Sequence, residues 1–226
     1  MSDTVDPFAR DETRAAARAR VAAAAIPRGY SGALHVVYFN ALALTVIGYA
    51  VAGLDRPRAF EVALAPLFVV FANAFEWWIH RGPMHHPVKG LRELYDRHTL
   101  SHHVYFTDRD MEIESARELK LVLFPPFALP FFIVLTSPLP IAAGLLISAN
   151  AARIFFASAI GYYLVYEWMH LLHHLPKASW IGRTLFVTAA RDHHTRHHDP
   201  RLMTRGNFNV SFPLWDRVRG TVLGDA

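Results

Sequence analysis

Residues 60–80 read FEVALAPLFVVFANAFEWWIH, an apolar run from Phe60 to Ile79 that ends directly on His80. About 20 such residues are what a helix needs to cross the ~30 Å hydrocarbon layer of a membrane. A spanning helix with a potential metal ligand at its end is therefore the first expectation. Working outward, Ser31 to Leu54 is a second run of spanning length, and Asp55 to Arg58 (DRPR) is a tight polar turn. Leu121 to Thr136 is apolar but carries Pro125, Pro126 and Pro130, so a helix there should be bent or broken. Ser137 to Pro140 (SPLP) reads as a turn, after which Ile141 to Met169 is almost continuously apolar. Continued to His174 as one helix, that last stretch would be about 51 Å long at ~1.5 Å per residue. It should project from the bilayer and carry His170 and His174 out with it. The fold class expected is all-α: a multi-pass membrane protein of four transmembrane helices beneath a helical, histidine-rich cap.

Charge gives that arrangement a direction. Lys and Arg number 5 before Ser31, 7 from His80 to Lys120 and 8 from His170 onward, against 2 in the Asp55 turn and none in the Ser137 turn. The positive-inside tendency places both termini and every histidine block on the cytoplasmic side. The net charge of +4 fits loops held at a membrane face better than a nucleic-acid partner, because the charges flank apolar stretches. Residues 1–30 are Ala- and Arg-rich without a signal-type apolar region, and read as a cytoplasmic tail or surface helix. Residues 31–226 form the membrane-embedded domain. With no cysteine in the 226 residues, disulfides, thiolate metal sites and iron–sulfur clusters are excluded.

Thirteen of the 14 histidines fall in four blocks covering 24 residues: His80 to His86, His98 to His103, His170 to His174 and His193 to His198. On a helix, residues at i, i+3 and i+4 share a face. So His98 and His102 should share one, as should His170 and His174, and His194, His197 and His198. His80 and His85, with Pro83 between them, fit a helix end and the turn after it. A zinc ion needs three or four ligands, so His80, His85, His98, His102, His103, His170, His174, His194, His197 and His198 are enough for two ions. Imidazole suits zinc, copper, iron and nickel alike. Iron with open positions for dioxygen is the choice that uses both the ligands and their apolar surroundings, although zinc could occupy isolated protein. No catalytic residue beyond the ligands is expected.

The remaining candidates carry blander readings. His35, alone in an apolar run, reads as a core residue, and His86, His173 and His193 as supporting or surface residues. Glu76, Asp96, Glu167, Asp192 and Asp199 lie near enough in sequence to accept an imidazole N–H, but each reads first as an ordinary acid. Asp216, in the aromatic tail Asn207 to Thr221, could help clamp the last block. Phe68, Phe71, Phe75 and Trp78 could line a lipid's approach, and read first as packing residues. Arg153 and Asn73, polar within apolar runs, are poor material for a transport pathway.

Taken together, His80-x4-His85, His98-x3-His102-His103, His170-x3-His174, His194-x2-His197-His198 and the tail Pro213-Leu-Trp-Asp-Arg-Val-Arg-Gly-Thr221 resemble the fatty acid hydroxylase superfamily, which includes sterol desaturases and carotenoid hydroxylases. The resemblance implies a four-helix anchor under a cap holding two metals. It implies hydroxylation or desaturation of a lipid from the bilayer, with dioxygen as co-substrate. Acyl-chain hydroxylases typically have two residues, not three, before the histidine pair of the second block. No fused cytochrome b5-like domain fits in the chain, which implies a separate electron donor, cytochrome b5-like or a ferredoxin with its reductase. A zinc-dependent membrane hydrolase or isomerase and a non-catalytic metal-binding protein are the competing classes.

Overall fold

The computed structural model describes residues 12–224, so the first eleven residues of the expected N-terminal segment lie outside the described residues. The elements in chain order are α1 (Arg14–Ala25), α2 (Gly32–Ala52), a helical turn Ala59–Val62, α3 (Leu64–Ile79), α4 (Arg92–Arg97), α5 (Ala128–Thr136), α6 (Pro138–Leu146), α7 (Ala149–His174), α8 (Leu185–His197) and α9 (Leu214–Arg219). Short turns of helix connect them, and no strand is present among the described residues. The chain divides into two compact units: Ala33–Phe75 with Phe124–Trp168, and Met1–Gly32 with Glu76–Leu123 and Met169–Ala226.

Among the described residues, three helical stretches are long and apolar enough to cross a membrane: Gly32–Ala52, Ala59–Met84 and Ala128–Leu146. The third corrects the expectation of a turn at Ser137 to Pro140. Ser137 keeps helical dihedrals, and its hydroxyl donates to the Val134 carbonyl at 2.8 Å. That bond satisfies a carbonyl which Pro138, lacking an N–H, cannot serve. The helix therefore runs on through the prolines, and the break falls at Ile147 and Ser148, where Ile147 leaves helical geometry. The anticipated 34-residue helix from Ile141 to His174 is consequently shorter. Helix α7 has 26 residues, about 39 Å at ~1.5 Å per residue.

In the apolar unit, Ala43, Leu129, Ile160 and Tyr163 form the buried centre, with Val46, Ile47 and Phe132 against it. Leu44, Leu67, Leu145 and Leu146 face outward, as helices in contact with lipid require. Polar groups on these helices find partners. Asn73 Nδ2 donates to Tyr162 Oη at 3.1 Å, Tyr163 Oη to Glu167 at 2.7 Å, and Trp168 Nε1 to Asn40 at 3.0 Å. The polar turns are tied together, since Asn150 exchanges bonds with the Asp55 backbone at 3.0 and 2.8 Å and Ser148 donates to Glu61. Arg153 folds over Gly53, where a Cβ would stand 2.6 Å from its Nε. His35 is buried edge-on against Phe39. Phe68 is buried, whereas Phe71 and Phe75 are exposed.

The other unit contains all four histidine blocks. Thr184 caps α8 by accepting from Val187 N at 3.4 Å, and Gly220, at φ 64°, ends α9 in the left-handed conformation that glycine adopts freely. Two segments are π-helical: His80–Met84 and His98–His102. A π turn carries i to i+5 hydrogen bonds and is frequent at functional sites. Here one bond runs from His103 N to His98 O.

Candidate metal centre

The π turn re-sorts the histidines. His98 and His103, five apart, face one group, while His102 turns to another. The first group is His80, His85, His98, His103 and His197, and the second is His102, His174, His194 and His198. Within each, the candidate ligand nitrogens all lie within 4.8 Å of one another, and all nine residues are buried. The two groups adjoin, since the rings of His103 and His198 stack at 4.2 Å between centroids. The expected shared face of His98 and His102 is thus divided between them, and α8 likewise sends His197 to one and His194 and His198 to the other. His170, the tenth candidate, lies outside both sets, with its Nε2 3.2 Å from that of His102.

The outward ring nitrogens show how the imidazoles are held. Nδ1 of His80 donates to the Phe208 carbonyl, that of His102 to Leu121 at 2.9 Å, and that of His174 to Met111 at 2.7 Å. His197 Nδ1 donates to Gly206 at 3.0 Å and His198 Nδ1 to Phe106 at 2.8 Å. The Thr99 hydroxyl gives its proton to the Met84 carbonyl at 2.7 Å, so its oxygen accepts from His85 Nδ1 at 3.3 Å. Five main-chain carbonyls and a hydroxyl therefore fix these tautomers, leaving each Nε2 with a lone pair aimed inward.

Those lone pairs test whether a cation fits. His102 and His198 Nε2 stand 3.1 Å apart, and His85 and His197 Nε2 3.0 Å apart. With both protons already committed to Nδ1, neither contact is a hydrogen bond between neutral rings. A spacing of about 3 Å is what neighbouring ligands on one ion at ~2.1 Å adopt. His174 Nε2 is buried without a protein partner, a polar atom that a metal would satisfy, and His194 Nε2 stands 3.0 Å from that of His198. Burial, then neighbouring imidazoles, pushes His85, His98, His103 and His194 well below the ordinary histidine range. Burial pushes His102 down to about 3. The rings are accordingly neutral, which is the ligating state.

The tail anchors this shell. Asp216 accepts from the backbone N–H groups of Phe208 at 3.1 Å and Asn209 at 2.8 Å, from Thr221 Oγ1 at 2.6 Å and from His193 at 3.3 Å. Asn207, at φ 55°, receives Leu223 N at 2.7 Å and donates to His193 O at 2.8 Å. Glu76 accepts from Val210 N and from Ser211 N and Oγ. Glu76 and Asp216 thus hold the loop whose Phe208 and Gly206 carbonyls orient His80 and His197. Burial opposes charge on Asp216, but the bonds from His193, Thr221, Asn209 and Phe208 outweigh it and hold its carboxyl below the usual range.

The other nominated acids bond elsewhere: Asp96 with Arg92, Glu167 with Tyr163, and Asp199 with Arg201, while Asp192 is exposed. His86 is exposed, and His193 reaches the site through Asp216. His173 is fully buried against His194, at 4.7 Å between ring centroids, with neither ring nitrogen bonded. The carbonyls of Phe106, Met111, Leu121, Gly206 and Phe208 are what sequence reasoning missed. Every residue has a carbonyl, so no letter in the chain marks them.

A family model described as fatty acid hydroxylase matches residues 65–221, a span that includes all four histidine blocks. The chain belongs to the fatty acid hydroxylase family. As a fatty acid hydroxylase family member it is an oxidoreductase acting on lipids. Full-length scs7p, solved with only the hydroxylase domain visible, is similar in fold, with a TM-score of 0.58 at 22% identity over 87% of this chain and 68% of that one. No curated protein sequence matches the chain.

Proposed function

We propose that this fatty acid hydroxylase family protein hydroxylates a lipid acyl chain, using dioxygen and two iron ions held by histidine alone. The observation that carries the reading is the pair of adjoining all-histidine groups of five and four buried residues. Two groups of that size call for two ions, since a single zinc would be satisfied by three or four ligands. Iron is favoured because the family is one of hydroxylases and neither group includes a carboxylate. Bound iron would supply the activation of dioxygen, with electrons from a separate donor protein of the cytochrome b5 or ferredoxin type.

The chain's own residues have three tasks in this reading. The Nε2 atoms bind, the carbonyls behind Nδ1 hold each ring in place, and burial keeps bulk water from a site where water would divert the chemistry. In the same proposal residues 31–226 form one membrane-embedded domain whose histidine-rich cap lies outside the hydrocarbon layer. Crossings by Gly32–Ala52, Ala59–Met84, Ala128–Leu146 and the apolar part of α7 bring both termini and the histidines to the cytoplasmic side. The three-residue spacing His98-x3-His102 favours a second reading, a sterol or carotenoid substrate, within the same chemistry.

Chelator-stripped protein, supplied with an acyl lipid, a reductant and an electron donor, should regain oxygen consumption when reloaded with ferrous iron. Recovery with zinc alone would contradict the proposal.

A further inference from the structure

Within the expected N-terminal tail or surface helix, α1 packs against the histidine-bearing segments. Arg14 on α1 donates to the carbonyls of Val104 and Tyr105 and, through Nε, to Asp110 at 2.9 Å. Arg18 lies over the Tyr105 ring, 4.5 Å from its centroid, and pairs with Glu114 at 3.1 Å. Ala17 and Val21 are buried in one cluster with Val104, Tyr105, Phe106, Leu121 and Val122. Beyond α1, Arg117 donates to the carbonyls of Pro27, Arg28 and Tyr30 at 2.8 to 3.3 Å, latching the linker.

The residues under α1 are those that orient the second histidine group. The Leu121 and Phe106 carbonyls, both in the α1 cluster, accept from His102 and His198, and Met111, next to the Arg14 partner Asp110, accepts from His174. Two of that group's four histidines therefore take their orientation from residues packed against α1, and a third from the neighbour of Asp110, which Arg14 holds. In the first group His80, His197 and His85 are oriented by Phe208, Gly206 and Thr99 instead, and only His103, next to Val104, adjoins the Arg14 contacts.

We infer that α1 is the outer wall of the four-histidine group, and that Arg14 is a positioning residue for the ion held there but not for the one in the five-histidine group. Arg14 acts through two carbonyls and a carboxylate. Its planar fork can serve all three together, which a lysine ammonium does less well. The inference rests on the two-ion reading above, and goes beyond it by assigning separate supports to the two ions. Removing the contacts frees residues 104–111, so His102, His174 and His198 lose their fixed directions. Loss of partners behind a ligand typically weakens metal binding by about 10–100-fold.

The test is iron content per folded chain in the full-length protein, by elemental analysis at controlled free iron, with circular dichroism to verify helix content. Arg14→Ala and Val21→Ala should fall from two ions to about one, Arg14→Lys should fall between, and Arg20→Ala, whose partner is the exposed-side Glu12, should keep two. Two ions retained in Arg14→Ala and Val21→Ala, or both lost together at wild-type helix content, would overturn the inference. A wild-type chain holding a single ion would instead defeat the two-ion reading, and this inference with it.

Discussion

At the scale of single residues, the site is controlled from one bond behind the ligands. Asp216 touches no histidine of either group, yet it gathers Phe208 N, Asn209 N and Thr221 Oγ1, and the Phe208 carbonyl sets the direction of His80. In Asp216→Asn one of two oxygens becomes an NH2 group, which cannot accept from a backbone N–H. A buried donor left unpaired costs about 1–3 kcal/mol, and the loop should yield before the helices do. The expected outcome is iron affinity weakened by about 10–100-fold, read by chelator competition, with helix content unchanged. Affinity equal to wild type would show that the loop holds its shape without the carboxylate.

At the scale of elements, close backbone approach decides which glycines matter. Gly32 opens α2 where a Cβ would lie 1.9 Å from the Ala116 carbonyl oxygen, whereas nothing lies within 4 Å of such an atom at Gly48. The obstruction at Gly32 is main chain, latched by Arg117, and cannot rotate away. Gly32→Ala should therefore lower stability by about 1–3 kcal/mol, the usual cost of forcing atoms into packed space. Gly48→Ala should be neutral or raise stability by up to ~1 kcal/mol through helix propensity. Thermal unfolding in one detergent compares the two, and equal melting temperatures would count against the close contact. The π turns are the other element-scale device. By closing on i+5 rather than i+4, the turn at His98–His102 places His98 and His103 together and sends His102 to the neighbouring group.

At the scale of the whole molecule, the proposed orientation has a direct readout because the chain has no cysteine. A single cysteine can be introduced at His86, which is exposed and belongs to neither histidine group, and another at Arg56 in the turn after α2. In intact cells a membrane-impermeant maleimide should label Arg56→Cys and spare His86→Cys until the cells are opened. The reverse pattern would invert the topology, and labelling of both in intact cells would remove the bilayer from between them.

The apolar runs and the histidine blocks were legible in the chain because both are local: a spanning helix needs about 20 apolar residues in succession, and ligands cluster on short stretches. Proline misled at Ser137 to Pro140, since a hydroxyl bond to Val134 replaces the missing N–H only once the helix exists. Spacing was right that His98 and His102 share a face, since their rings stack at 5.3 Å between centroids, but it did not show that this face is divided between two groups. The sequence by itself therefore determined an all-helical, apolar chain with enough imidazoles for two ions. Only the tertiary structure decided which histidine joins which group, which carbonyl stands behind it and that α1 packs against the residues that supply two of those carbonyls. The physical reason is that backbone carbonyls are the same in every residue, so their roles arise from where the folded chain brings them.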